Sequence, residues 1–210
     1  METRKIYSVL LSGAIVLFAA GGTAKAQPSV SIGPKIGASF SGFRGDDAGH
    51  ISMRKGVAGG LFLNISPLKF LSIQPELLLQ QKGAVNENQD FNFIEDVKLG
   101  YLNVPVLVKL RVPIAGTFFP HVYAGPQFSY AFSSEYSIRS LDGGAMTREI
   151  NLRDYDLSGV FGFGLDVEIR HLFITGDLRY ALGVLNLTND EEVQLKNKDL
   201  VLLIGLGYKF

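Results

Sequence analysis

The sequence predicts an all-β chain, an eight-stranded antiparallel up-and-down transmembrane β-barrel. Three observations predict it. Beyond residue 26 the chain breaks into eight runs in which apolar and polar side chains alternate. The connections between these runs alternate between long and short. No stretch after Gln27 approaches the ~20 apolar residues of a membrane-spanning helix, and the longest candidate is Leu200 to Leu206. A chain that crosses lipid without helices must close its sheet, because an open edge leaves backbone groups unsatisfied there.

The first segment lies outside the expected barrel. Arg4 and Lys5 open it, Ile6 to Ala20 is apolar or small, and Ala24-Lys25-Ala26 offers small residues where a signal peptidase reads. Residues 1–26 are therefore expected to be a secretory signal peptide cleaved before Gln27, with the barrel domain spanning 27–210.

The runs follow in order. Val30, Ile32, Pro34, Ile36, Ala38 and Phe40 share one face of the first, opposite Ser31, Lys35 and Ser39. Gly56 to Ser66 sets Val57, Leu61, Leu63 and Ile65 against Gly60, Phe62 and Asn64. The third alternates Leu71, Ile73, Pro75, Leu77 and Leu79 with Ser72, Gln74, Glu76, Leu78 and Gln80. The fourth sets Leu102 to Leu110 against Tyr101 to Arg111, and the fifth sets Val122 to Tyr130 against His121 to Ser129. The sixth alternates Leu157 to Ile169 with Ser158 to Arg170, the seventh Ile174 to Leu182 with Thr175 to Ala181, and the eighth Leu200 to Phe210 with Asp199 to Lys209. Roughly ten residues suit a tilted strand crossing lipid.

Short connections are expected at Ser66–Lys69, Pro113–Thr117 and Arg170–Leu172. Long ones are expected at Gly42–Arg54, Gly83–Val97, Ser133–Asp154 and Val184–Lys198. Short periplasmic turns and long extracellular loops give this pattern, with both termini on the periplasmic side. Pro34, Pro75, Pro105 and Pro126 inside the runs oppose the reading, since proline removes a ladder donor.

Period two alone does not say which face is inside. A soluble barrel hides its apolar face, and a membrane barrel hides its polar one. The polar face here is rich in glycine and serine, which suit a crowded interior, and its charges balance. An internal network is expected among Lys35, Glu76, Lys109, Arg111, Asp166, Glu168, Arg170, Asp177, Arg179 and Lys209. The closing Tyr208-Lys209-Phe210 resembles the signal read by barrel assembly machinery.

Composition narrows the chemistry. There is no cysteine, which excludes disulfides, thiolate metal sites and a lipid-modified cysteine. Twenty basic and 20 acidic residues cancel, so no global field points to nucleic acid. Asp166 and Glu168 suggest a paired acid/base site, but salt bridges inside the lumen explain them better. His50, His121 and His171 assemble no hydrolytic triad. The glycines from Gly159 to Gly164 lack the following helix that a phosphate loop needs. Arg44-Gly45-Asp46 matches an adhesive tripeptide that a charged turn explains equally well, and Asn189 to Glu192 is either a cation site or a solvated acidic turn. Neither a cofactor nor a catalytic or metal site is expected.

Ile73-Gln74-Pro75-Glu76-Leu77-Leu78, Asn103-Val104-Pro105-Val106-Leu107, Gly125-Pro126-Gln127 and Arg179-Tyr180-Ala181-Leu182-Gly183 resemble motifs of the PorT-like outer-membrane β-barrel family of Bacteroidota. The resemblance covers the mature chain and accounts for the strand prolines. It implies an outer-membrane location and leaves the activity open. The expected partners are outer-membrane lipid, lipopolysaccharide and the assembly machinery. The expected role is a non-enzymatic scaffold for surface loops, serving envelope structure, adhesion or a secretion complex; a lipid A-modifying enzyme, a narrow channel and a soluble periplasmic lipocalin-like binder are the alternatives.

Overall fold

Alternating polarity becomes nine strands among the residues that a computed structural model of the chain describes, namely 28–44, 52–88, 93–114, 116–140, 145–149, 153–186 and 196–210. In chain order they are β1 (Ser29–Arg44), β2 (Ser52–Leu68), β3 (Leu71–Asn88), β4 (Phe93–Arg111), β5 (Phe118–Ser140), β6 (Ala145–Glu149), β7 (Tyr155–Ile169), β8 (Leu172–Gly183) and β9 (Lys196–Lys209).

Neighbours in space run β4-β3-β2-β1-β9-β8-β7-β5, and β4 pairs with β5 to close the ring. Every pairing is antiparallel. The barrel thus has eight strands, and β6 hangs on the upper part of β5 outside the ring. The eight expected runs coincide with the eight barrel strands.

Two expectations need correction. Gly83–Val97 and Ser133–Asp154 are not loops throughout. β3 runs on to Asn88 and β4 begins at Phe93, while β5 reaches Ser140 and folds back as β6. Ladder hydrogen bonds hold these extensions, which pair in continuous register as Gly83↔Lys98 to Asn88↔Phe93 and Phe93↔Ser140 to Gly100↔Ser133. The short turns fall at Lys69–Phe70, Val112–Thr117 and Arg170–His171. The signal segment, Gly45, Asp46, His50 and Asn189 to Glu192 lie outside the described residues.

The four prolines sit in the sheet by one device. In an antiparallel ladder a residue aims its N–H and C=O at the same neighbour, so proline opens one side only. Pro34 stays in register with Leu61 of β2, while its ladder with β9 skips from Ile32↔Tyr208 to Lys35↔Gly205. Pro75 pairs with Val106 and the gap faces β2; Pro105 pairs with Gln127 and the gap faces β3. Pro126 pairs with Gly159 and the gap faces β4. Each gap therefore lies on the side of the preceding strand around the ring.

Gly125, just before Pro126, lets the opened ladder close in. A Cβ there would lie 2.0 Å from the Val106 carbonyl oxygen. Gly125→Ala is expected to force β4 and β5 apart and cost roughly 1–3 kcal/mol. Urea unfolding of the protein in lipid vesicles measures this, and an unchanged midpoint would contradict the packing described.

The faces take the membrane orientation. Leu77, Val106, Phe163 and Ile204 point outward, with Ile204 at 62% exposure. Glu76, Lys109 and Asp166 point inward, and the last two are at 0%. The outward belt is apolar on every barrel strand, for example at Ile36, Val57, Leu79, Val108, Val122, Phe161 and Leu202. Aromatic rings mark both ends of the belt. Tyr208 and Phe210 meet edge to face at 5.1 Å near the termini, and Tyr130, Phe132 and Tyr155 lie toward the loops. Such girdles belong at lipid–water boundaries.

Candidate functional site

The inward residues of eight strands converge on the axis, and the charged ones fill the barrel in tiers. In the tier nearest the turns, Glu168 of β7 bridges Arg111 of β4 and Lys209 of β9. Arg111 also places Nη1 3.0 Å from Ser66 Oγ, and its guanidinium lies 4.3 Å from the centre of the Phe119 ring. A cavity of about 630 Å³ opens at this end, lined by Arg111, Phe119, Glu168 and Lys209.

The middle tier is the densest. Arg179 of β8 donates from Nη1 and Nη2 to the two carboxylate oxygens of Glu76 at 2.8 and 3.0 Å. Lys35 of β1 donates to Glu76 at 2.7 Å and also contacts Asp177. Lys109 of β4 donates to Asp166 and to Gln74 Oε1, both at 3.0 Å. His121 Nε2 stands 2.9 Å from Asp177 Oδ1 and its Nδ1 is 3.5 Å from Asp166. Across these two tiers Lys35, Lys109, Arg111, Arg179 and Lys209 face Glu76, Asp166, Glu168 and Asp177. Charges out of water need partners of opposite sign; Glu76, Glu168 and Asp177 each take cations from more than one strand, and Asp166 takes Lys109 and Arg111 of β4.

Toward the loops the interior changes character. Lys82 of β3 pairs with Asp199 of β9 at 2.8 Å and sits 4.8 Å from the centre of the Tyr101 ring. Asn197 donates to Asp156 at 2.9 Å, and Asn103 donates to Gln80 at 2.7 Å. Apolar plugs separate the tiers: Leu107, Tyr123, Val160 and Ala181 on one side, Ala58, Leu78, Val201 and Leu203 on the other. Phe43, Ala84, Leu99 and Tyr101 form the uppermost cluster.

Of the ten residues expected in the interior network, nine are joined by ion pairs in the lumen or at its mouth. Arg170 is the exception, contrary to expectation. It is exposed on the turn between β7 and β8, with φ at 54°. Alternation carries Asp166 and Glu168 inward, but the strand stops before Arg170 and the left-handed turn swings its side chain out.

Lys82, Asp156, Asp199 and His121 belong to the interior although sequence reasoning did not assign them to the network. Lys82 and Asp199 follow the inward parity of their strands and were legible in it. His121 opens its strand on the inward side, and its contact with Asp177 depends on ring closure, which no local pattern reports. Gly162 and Gly164 explain the glycine run within β7. Cβ atoms there would lie 2.7 Å from the Tyr123 hydroxyl and from His121 Nε2. They clear space for two large inward side chains, and no helix follows them.

Chemically this interior suits structure. Asp166 and Glu168 are each held by cations, the arrangement of a cohesive network. His171 is exposed at the turn end, stacked on Tyr208 with ring centres 5.4 Å apart and Nδ1 3.1 Å from the Lys209 carbonyl. Among the described residues no group of three histidines or carboxylates could hold a metal.

Comparison with known proteins agrees with the architecture. A family model described as "Outer membrane protein beta-barrel domain" matches residues 25–189. A major outer membrane protein from Thermus thermophilus superposes with a TM-score of 0.53 at 13% identity, covering 88% of this chain and 100% of that one. The outer membrane protein OprG from Pseudomonas aeruginosa gives 0.50 at 15% identity, covering 89% and 97%. At these identities the likeness is one of fold. A search of curated proteins found no match.

Proposed function

Because the chain belongs to the outer membrane protein β-barrel domain family, we propose that it serves in the outer membrane as a non-enzymatic scaffold holding surface loops in place. The single observation that carries this reading is the filled interior. Lys35, Glu76, Lys109, Asp177 and Arg179 occupy the axis with their charges paired. An eight-stranded ring has room for side chains and little else. With the lumen spent on cohesion, recognition falls to the loops and to the extended sheet of β3, β4, β5 and β6.

On this reading residues 1–26 are an export signal removed after Ala24-Lys25-Ala26, and Tyr208 with Phe210 is the signal that the barrel assembly machinery reads. The quoted proline-containing motifs support placement in the PorT-like branch of Bacteroidota. Envelope structure, adhesion and a secretion assembly are the roles such a scaffold fills.

The test has two arms. In planar bilayers the purified protein is expected to show no steady channel openings in neutral buffer. In cells, expressing or deleting it is expected to leave the lipid A mass spectrum unchanged. Steady conductance would make it a narrow channel instead, and a new lipid A species would make it an enzyme.

A further inference from the structure

The outward rim at the loop end is not uniform in charge. On β4 and β5 it is mixed: Lys98 sits opposite Glu135 and 3.7 Å from Asp96. On β9, β1 and β2 it is basic. Lys196 and Lys198 point outward there, because the alternate residues Asn197 and Asp199 are buried in the lumen. Lys196 lies opposite Arg44, and Lys198 opposite Gly42, which in turn faces Met53. Lys55 is exposed on β2, opposite Phe40. Among the described residues none of these four cations has an ion-pair partner.

Two features make this sector a site. Like charges placed directly opposite each other on neighbouring strands repel unless an anion lies between them, and Lys196 and Arg44 are so placed. Arg44 is also held, its Nη2 donating to the Gly183 carbonyl at 2.7 Å. The height is right as well. Directly below lie Leu200, Leu202, Ile204 and Val57 of the apolar belt. Lys198 stands roughly 25 Å above the Tyr208 girdle, counting ~3.3 Å per residue on a strand tilted by ~40°. That is the level of the outer headgroups. From strand spacing and rise, Lys55 and Lys198 lie roughly 12 Å apart.

We propose that the outward rim formed by Arg44, Lys55, Lys196 and Lys198 binds the phosphorylated headgroup of a glycolipid in the outer leaflet. Acyl chains lie along the belt while phosphate oxygens take the ammonium and guanidinium groups. The proposal rests on the outer-membrane reading and adds a defined ligand sector to it.

The experiment uses the full mature protein, refolded in detergent, with diphosphorylated lipid A as probe and native mass spectrometry as readout. The triple variant Lys55→Gln, Lys196→Gln, Lys198→Gln is expected to lower the apparent affinity on the order of 100-fold, at about a factor of five per cation. Lys98→Gln in the mixed sector is expected to leave it unchanged. Dephosphorylated lipid A is expected to bind poorly to the wild type, and millimolar inorganic phosphate not to displace the phosphorylated form. Neutralising Asp190, Glu191 and Glu192 is expected to leave binding equal or tighter, since those side chains repel phosphate. Retained affinity in the triple variant, an equal loss in Lys98→Gln, equal binding of the dephosphorylated lipid, displacement by phosphate, or a fall on neutralising the three acids would each overturn the proposal. Heat-modifiable migration on gels confirms that each variant is folded, and Lys55→Gln alone, with an expected fivefold loss, serves if the triple variant is not. Conductance and lipid A modification are separate readouts, so the scaffold reading survives or fails independently.

Discussion

Glu76→Ala is expected to destabilise the barrel by roughly 3–5 kcal/mol, the range for removing one partner of a buried ion pair. Glu76 accepts both arms of Arg179, the Lys35 ammonium, and the Gln74 amide at 2.6 Å. Its loss strands Arg179 more completely than Lys35, because Lys35 keeps Asp177 while Arg179 has only that same carboxylate at 4.0 Å. The variant should unfold at lower urea when measured in lipid vesicles. Adding Arg179→Ala to it is expected to cost less than the sum of the two single changes, because the second change removes the stranded charge. Strict additivity would show that the two groups do not form the unit described. Glu76→Gln, which keeps the shape and loses the charge, should fall between wild type and alanine.

Ile204→Arg is expected to cost roughly 2–4 kcal/mol, as for a cation placed at the bilayer midplane of a barrel. Ile204 is the central outward residue of the apolar part of β9, Leu200 to Tyr208, between Leu202 and Leu206. Val184→Arg, just beyond the loop end of β8, should cost no more than about 1 kcal/mol because depth sets the penalty. Paired urea titrations in vesicles of one lipid composition give the contrast. Equal costs at the two sites would remove the membrane-facing assignment of the belt, whereas a loss of folding only at Ile204 would support it.

Where one face meets lipid and the other a packed lumen, the sequence reports the strand well. Leu71 to Gln80 alternates apolar and polar at every position except Leu78, which fills an apolar plug in the lumen, because each side chain has a single acceptable side. Inward charges on these segments follow the same alternation, whereas Arg170 lies beyond the end of the strand, on the turn. Above the membrane that constraint is gone. Ser133, Ser134, Glu135, Tyr136 and Ser137 continue β5 with no apolar beat, and β6 depends on pairing with it. The prolines misled for a related reason. Their cost depends on which neighbour their missing N–H would face, and that is a property of the closed ring. The glycolipid sector was equally hidden, since Arg44 and Lys196 are far apart in the chain and meet only when the last strand joins the first.

The ring is cut obliquely at its outer end. β5 last pairs with β7 at Tyr130, yet its residues from Ala131 to Ser140 climb on for roughly 30 Å of strand. Two strands round the ring β8 stops at Gly183, and directly across the barrel β1 stops at Arg44. Among the described residues the sheet therefore stands taller on the β5 flank than on the β1 flank, beside which the lysines sit, so a partner that pairs with strand edges above the lipid would meet those of β5 from one azimuth.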